Sequence, residues 1–322
     1  MKAIIIVFRS SLSTLLFLAL SGCCALQSDG RTDNTHKNQL ILADGSRFEV
    51  SELSRALDSI MDTFPEGKKK NIVMFVHGRG GGKVKHPEKA IKQMLPFIES
   101  EYNIKVVLFN WAGSDKGGPV GFPGEEARAA SDIFFHILKQ LDTYKQKNSG
   151  RLKGIRFSLL THSMGSIVIE ETIDTYSDEI KPDLVDVLVL SSSASKSKGH
   201  SKWLNKAALA KHVFVTLNDN DSALKKAGIL RGRRLGKGLK NSETSMRAQY
   251  IDLSNTGVGH RYFIAHTKNG TKNGQKSNPC ISEFYKAALN GTPIDLTSFP
   301  GTQEVRQERG FMMKPANGDV CR

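Results

Sequence analysis

Ser163 is the residue around which chemistry can be arranged. It is the middle of Thr161-His162-Ser163-Met164-Gly165, between a short β-prone run, Gly154 to Leu160, and a stretch with apolar residues at helical spacing, Ile167 to Ile173. A sharp strand-to-helix turn lifts its middle side chain above the sheet edge and leaves the first N–H groups of the helix pointing at whatever binds there. The usual pattern of such a turn is Gly-x-Ser-x-Gly. Here the second glycine is Gly165 and the first is replaced by Thr161. The plainer reading of Ser-x-Gly is a helix N-cap serine, so a chemical role requires partners elsewhere in the chain.

Those partners can be named. An unassisted hydroxyl is a poor nucleophile near neutral pH and needs a base, which in turn needs an orienting group. Of nine histidines, His260 has the best context, because it follows the strand-like Gln249 to Leu253 across a loop, Ser254 to Gly259, long enough to return the ring to Ser163; His266 is its rival. The segment Leu217-Asn218-Asp219-Asn220-Asp221-Ser222-Ala223-Leu224 offers two aspartates beyond a strand end, and Asp219 lies closer to that end but beside two turn-forming asparagines. Acyl transfer also needs two backbone N–H donors for the developing oxyanion, one just after the nucleophile and one from the loop after an earlier strand. Met164 and Arg79 occupy those places, the latter in His77-Gly78-Arg79-Gly80-Gly81-Gly82. His77, ahead of a glycine turn, reads as a structural hydrogen-bonding residue. The glycines spell neither a dinucleotide fingerprint nor a phosphate loop, and no CxxC or His-x-x-x-His spacing appears, so no cofactor and no metal are implied.

The elements that must position these groups alternate. A helix is expected over Ser51 to Phe64, a strand over Asn71 to Val76, a helix over Lys89 to Glu99 and a strand over Ile104 to Trp111. A long helix from Glu125 to Tyr144 follows, then the strand and helix around Ser163, and strands at Val185 to Leu190, His212 to Leu217 and Gln249 to Leu253. Alternation of this length predicts an α/β fold, a mostly parallel central sheet covered by helices on both faces. Residues 41–290 are read as one folded domain, 23–40 as a polar tether, and 291–322, rich in Gly, Pro and polar residues, as an irregular tail. There is no internal repeat.

With the motifs in place, the chain resembles the α/β-hydrolases. It is most similar to a poorly characterised bacterial branch with a Phe-Asp-Trp strand end, an Asp-x-Ala-Leu acid loop and a Gly-His-x-Tyr-Phe histidine loop. The matching residues are Phe109-Asn110-Trp111, Asp221-Ser222-Ala223-Leu224 and Gly259-His260-Arg261-Tyr262-Phe263, and the likeness spans about Asn71 to Leu289. It implies a serine hydrolase with Ser163 as nucleophile, His260 as general base and acid, and Asp221 rather than Asp219 as the orienting acid. Thr161 for Gly and Asn110 for Asp depart from the pattern without removing a triad member. A fold analogy does not identify a substrate. Carboxyl or lipid esters lead, and a non-catalytic binding lipoprotein on the same fold is the alternative.

The N-terminus sets the expected compartment. Lys2 and Arg9 precede an apolar stretch, Leu12 to Leu20, and then Leu20-Ser21-Gly22-Cys23. This resembles a bacterial lipoprotein signal, which implies removal of residues 1–22, acylation of Cys23 and membrane tethering. Cys24 stands where an inner-membrane retention aspartate would be, so outer-membrane sorting is favoured. The net charge of +14 then points to anionic lipid head groups before nucleic acid. In an oxidising periplasm Cys280 and Cys321 could pair and tie down the tail. Two further stretches admit two readings each. Ser191 to Lys206, around Trp203, is either a mobile lid touching lipid or a solvated loop with one core tryptophan. Arg231 to Lys240 is either a site for an anionic head group or a flexible basic segment, and its Arg-Leu-Gly looks structural.

Overall fold

The computed structural model describes residues 38–65, 68–79, 90–111, 124–229, 232–264, 278–305 and 310–314. Cys23, His266 and Cys321 lie outside them, and so does most of the expected tether. All described residues belong to the compact unit Asn34–Arg322.

The strands are β1 (Gln39–Leu42), β2 (Arg47–Glu49), β3 (Ile72–Val76), β4 (Lys105–Asn110), β5 (Phe157–His162), β6 (Val185–Ser191), β7 (Ala210–Leu217), β8 (Ala248–Asp252), β9 (Thr302–Val305) and β10 (Gly310–Met313). They form one sheet in the order β2-β1-β4-β3-β5-β6-β7-β8-β10-β9. Pairing is parallel from β4 through β8 and on to β10; β1, β2 and β9 run antiparallel to their neighbours. The helices are α1 (Leu53–Met61), α2 (Leu95–Tyr102), α3 (Gly124–Lys147), α4 (Gly165–Tyr176), α5 (His200–Leu204), α6 (Ser222–Gly228) and α7 (Pro279–Leu289).

Two cores follow from the two-residue period of strands. Along β3 every residue is buried. Ile72, Met74 and Val76 point into a core shared with α1, α3 and α4, whereas Val73 and Phe75 point into the other, shared with α2 and α7. Such a strand must be apolar throughout, which is why it is legible as a continuous run. The expected helix over Lys89 to Glu99 is realised differently: a π-helical turn at Ala90–Met94 leads into α2, with Pro96 in its first turn. A proline lacks the N–H that an uninterrupted helix needs at that point but suits a new helix start.

The C-terminal part corrects an expectation. The segment read as an irregular tail supplies β9 and β10, and Phe311 of β10 pairs with Ile251 of β8. Leu296 and Met313 are buried in the same core as α7, which itself starts at Pro279 under an Asn278 side-chain cap on the Cys280 N–H. Strands of four residues, one of them the polar Thr302-Gln303-Glu304-Val305, carry too little pattern to stand out among turn residues. The folded part also begins two residues earlier than expected, with β1 at Gln39. Cys280 is disulfide-bonded; Cys321, the partner expected for it, lies outside the described residues.

Because Met313 is fully buried, Met313→Ala should lower unfolding stability by about 2–5 kcal/mol. An irregular, solvated tail would give a change within about 0.5 kcal/mol. Urea denaturation of the two proteins separates these outcomes.

Candidate active site

The site is built where the sheet changes direction. From β3 the chain goes outward to β4 on one side, and from β5 to β6 on the other, so β3 and β5 are adjacent strands whose connections diverge. Such a switch point opens a crevice at the carboxyl ends of the strands. His77, Gly78 and Arg79 follow β3 there, and Ser163 follows β5.

Ser163 has φ +51°, the left-handed region that non-glycine residues rarely occupy. Its backbone is held on both sides: its N–H donates to the Ser191 carbonyl at 3.0 Å, and its own carbonyl accepts from the Ala194 N–H at 3.1 Å and the Ser166 hydroxyl at 2.7 Å. Two glycines make room. A Cβ on Gly78 would lie 2.8 Å from the Ser163 Cβ and 2.9 Å from His162 Nδ1, and one on Gly165 would lie 2.3 Å from the Val76 carbonyl oxygen. The start of α4 therefore rests directly on the end of β3. That contact brings Met164, the N-cap residue just before α4, next to the strand end that leads to Arg79. Thr161 is tolerated because it is still within β5, buried, with its hydroxyl directed at the Val189 carbonyl. Trp111, just beyond β4, donates its indole N–H to the His77 carbonyl at 2.8 Å and stacks on the His77 ring. His77 is thus structural, as its context suggests.

The two aspartates have separate surroundings. Asp221 is fully buried, and its Oδ2 lies 2.7 Å from Nδ1 of His260, whose side chain is one quarter exposed. The same Oδ2 accepts the Tyr262 hydroxyl at 3.0 Å, while Oδ1 caps α6 by accepting from the N–H groups of Ala223 and Leu224. Burial and the adjacent Asp221 charge push the Tyr262 hydroxyl well above its ordinary pKa, so it remains a donor. Asp219 instead meets Arg233 at 3.0 Å and Lys237 at 3.3 Å. Partial burial opposes ionisation of Asp219, but the two cations outweigh it and hold the carboxyl below the usual range.

His260 is tied to the turn around Ser163 through its backbone. Its carbonyl accepts the Ser192 hydroxyl at 2.6 Å and lies 3.1 Å from His162 Nε2, which must carry the proton to donate there; the two rings are 4.7 Å apart. Burial, then the neighbouring His260, depresses the pKa of His162 well below its ordinary value. No direct hydrogen bond joins Ser163 Oγ to His260 among the described residues; catalytic hydrogen bonds in unliganded sites are often long. His162, Ser192 and Tyr262 are site residues that sequence reasoning did not single out. Their signals are the residue before the serine, the serine run ending β6, and the tyrosine two places after His260.

Of the two flanking stretches, Ser191 to Lys206 has its serines up to Ser197 buried while Lys196, Lys198 and Lys202 are exposed, and the core tryptophan of the second reading is present as Trp203. Ser193 Oγ and the Ala194 and Ser195 N–H groups all donate to Ser166 Oγ beneath the turn, and Trp203 and Leu204 are core residues. Within the basic segment Arg234-Leu235-Gly236 is structural: buried Arg234 donates to the Ala194 and Ala227 carbonyls, Leu235 N–H to the Ser195 carbonyl, and Gly236 N–H to the Ser193 carbonyl, whereas Gly232, Arg233 and Lys240 are exposed. A Cβ on Gly236 would lie 2.6 Å from the Ser193 nitrogen, so only glycine fits. These bonds join the acid loop to the serine run.

A mostly parallel sheet with helices on both faces, and a left-handed serine at the strand-to-helix turn of its switch point, defines an α/β-hydrolase. The model of the family described as alpha/beta hydrolase of unknown function (DUF900) matches residues 54–273, more than half of the chain, and the chain belongs to that family. No curated protein matches it. Among solved structures, a Thermus thermophilus protein is similar at 14% identity, covering 61% of this chain and 84% of that one with a TM-score of 0.38. A hyperthermophilic esterase from Pyrobaculum calidifontis is similar at 12% identity, with coverages of 74% and 90% and a TM-score of 0.37. A cold-adapted esterase from an Arctic intertidal metagenomic library is similar at 13% identity, with 70% and 85% covered and a TM-score of 0.40.

Buried neutral histidines give the fold a pH signature. Burial lowers the pKa of both His162 and His200, so the unfolded chain takes up protons that the folded chain resists. Their contribution is complete above about pH 6.5 and is lost as pH falls below it, by up to about 1.4 kcal/mol per pH unit for each histidine. Urea unfolding at pH 7.5 and 5.5 should show this loss, and His162→Gln should show a smaller one.

Proposed function

We propose that the protein is a serine hydrolase that cleaves carboxyl or lipid esters. The observation that carries this reading is the buried Asp221 carboxylate on Nδ1 of the partly exposed His260, whose backbone carbonyl meets His162, the residue before a serine held in the left-handed conformation. With Nδ1 committed to Asp221, Nε2 is the basic nitrogen. In this mechanism Ser163 Oγ attacks the ester carbonyl carbon while Nε2 takes its proton. The tetrahedral oxyanion is met by the N–H groups of Met164 and Arg79. Asp221 stabilises the imidazolium, which then protonates the leaving alkoxide as the C–O bond breaks. The acyl-Ser163 ester is hydrolysed by water, with His260 again acting as base and then returning the proton to Ser163. Asp221 is kept from rotating by the α6 N–H groups and Tyr262, so orientation is built in before substrate arrives.

Lipid or carboxyl esters are the leading substrates because Leu20-Ser21-Gly22-Cys23 supports acylation of Cys23 and tethering to the cell envelope, the outer membrane being favoured by Cys24. No helix of the described residues is long and apolar enough to cross a membrane, so the anchor reading rests on that motif.

Ser163→Ala should abolish labelling by a fluorophosphonate probe and hydrolysis of p-nitrophenyl esters, with an unchanged circular dichroism spectrum. Undiminished hydrolysis would remove the serine mechanism. Asp221→Asn should lower turnover about 10³ to 10⁴-fold, while Asp219→Asn, which removes only an exposed ion-paired group, should leave it within about threefold. The reverse order would transfer the acid role to Asp219.

For the anchor, the native chain should fractionate with membranes, and Cys23→Ser behind an ordinary cleavable signal should be released on cell lysis. Equal membrane partition of the two forms would reject acylation at Cys23.

A further inference from the structure

Two segments far apart in sequence, 196–202 and 232–243, face each other across an open groove of about 730 Å³. Its charged lining is one-sided: Lys196, Lys198, Lys202, Arg233 and Lys240 oppose Glu243 alone. The four lysines are exposed, and among the described residues none of them is in an ion pair. Lys181, Lys206 and Lys211, by contrast, each meet a carboxylate. Four uncompensated like charges around one concavity repel one another and raise its potential, an arrangement that a bound anion relieves.

The two walls of the groove are also bonded to each other. The Ser197 N–H donates to the Arg233 carbonyl at 2.9 Å, the Ser197 hydroxyl reaches the Gly238 and Leu239 carbonyls, and Lys196 forms an antiparallel bridge with Arg234. Arg233 is committed to Asp219 and to backbone carbonyls, so it fixes one wall while the lysines remain available. Lys240 stands at φ +53°, where glycine or asparagine is the common choice. A long cation therefore occupies a position whose backbone disfavours it. Lysine ammonium groups are compact charges with three rotatable donors, suited to phosphate oxygens approached from several sides.

We propose that this groove is a binding site for a phosphate-bearing ligand, taken either as a phospholipid head group or as a soluble phosphorylated molecule. It shares no residue with Ser163, Asp221, His260 or the oxyanion donors, so it stands or falls apart from the hydrolase reading. Lys196 is two residues from Ala194, whose N–H holds the Ser163 carbonyl, which places one rim of the groove within reach of the catalytic turn.

The test compares the full chain with Lys198→Gln/Lys202→Gln/Lys240→Gln, and with Lys92→Gln/Lys147→Gln/Lys153→Gln, which removes the same charge from exposed positions outside the groove. One arm measures inorganic pyrophosphate binding by calorimetry. The other measures co-sedimentation with phosphatidylcholine vesicles with and without about 30% phosphatidylglycerol. Binding in either arm should weaken on the order of 100-fold in the groove variant and far less in the control variant, and should fall with added salt. Pyrophosphate binding would identify a soluble ligand as sufficient, and binding only to the anionic vesicles would identify the head group. Equal losses in the two variants, or no binding of the unaltered chain in either arm, would overturn the proposal. Thermal unfolding of all three proteins confirms that each is folded at the assay temperature.

Discussion

The contact on which the rest depends is that between Gly165 and the end of β3. Any side chain there would meet the Val76 and His77 carbonyls, and α4 would have to lift away from the sheet. With α4 seated, Ser163 is forced into a conformation that costs roughly 1–3 kcal/mol for a non-glycine residue. The cost is offset by surroundings that grip its backbone from three directions, through Ser191, Ala194 and Ser166. Strain of this kind persists only where the neighbours over-determine it, and here the grip falls on the main chain.

Beneath that turn lies a layer of serines instead of aliphatic side chains. Ser166, Ser193 and Ser195 exchange hydrogen bonds with one another and with backbone groups, and Arg234 and Gly236 close the layer from the far side. A buried hydroxyl left without a partner costs about 1–3 kcal/mol, so each member depends on the others. The result is a network that fixes the loops after β6 and β7 relative to each other. It thereby fixes Ser192, which holds the His260 backbone, relative to Asp221, which holds the His260 ring. Glu170 belongs to the same neighbourhood: burial raises its carboxyl above the ordinary pKa, against a hydrogen bond from Ser195.

Much of this is legible in the sequence, and what is not has definite causes. β3 and β5 announce themselves because strands buried on both faces must be apolar almost throughout. Ser163, Gly165 and the histidine loop are legible because a strained turn admits few residue types. Asp219 and Asp221 both lie just past β7, and the Asp-x-Ala-Leu wording alone favours Asp221; their surroundings, Arg233 and Lys237 for the one and His260 and Tyr262 for the other, are not displayed by local sequence. Ser191 to Ser197 misleads because serine and lysine read as solvent-seeking, while the burial of those serines depends on Ser166, which lies about 30 residues earlier and is itself buried. Arg234-Leu235-Gly236 reads as structural from its wording, although the carbonyls that Arg234 meets are not displayed by local sequence. β9 and β10 are short, and their pairing partner β8 is far upstream.

The two outermost strands have a bearing on how the molecule behaves beside its own copies. A sheet that ends in unpaired backbone groups invites a further strand from another chain. Here one border is the three-residue Arg47-Phe48-Glu49 and the other the four-residue Thr302-Gln303-Glu304-Val305. Both are short and both place charge on the exposed rim. These blunt, charged borders oppose the growth of the sheet from one molecule into the next.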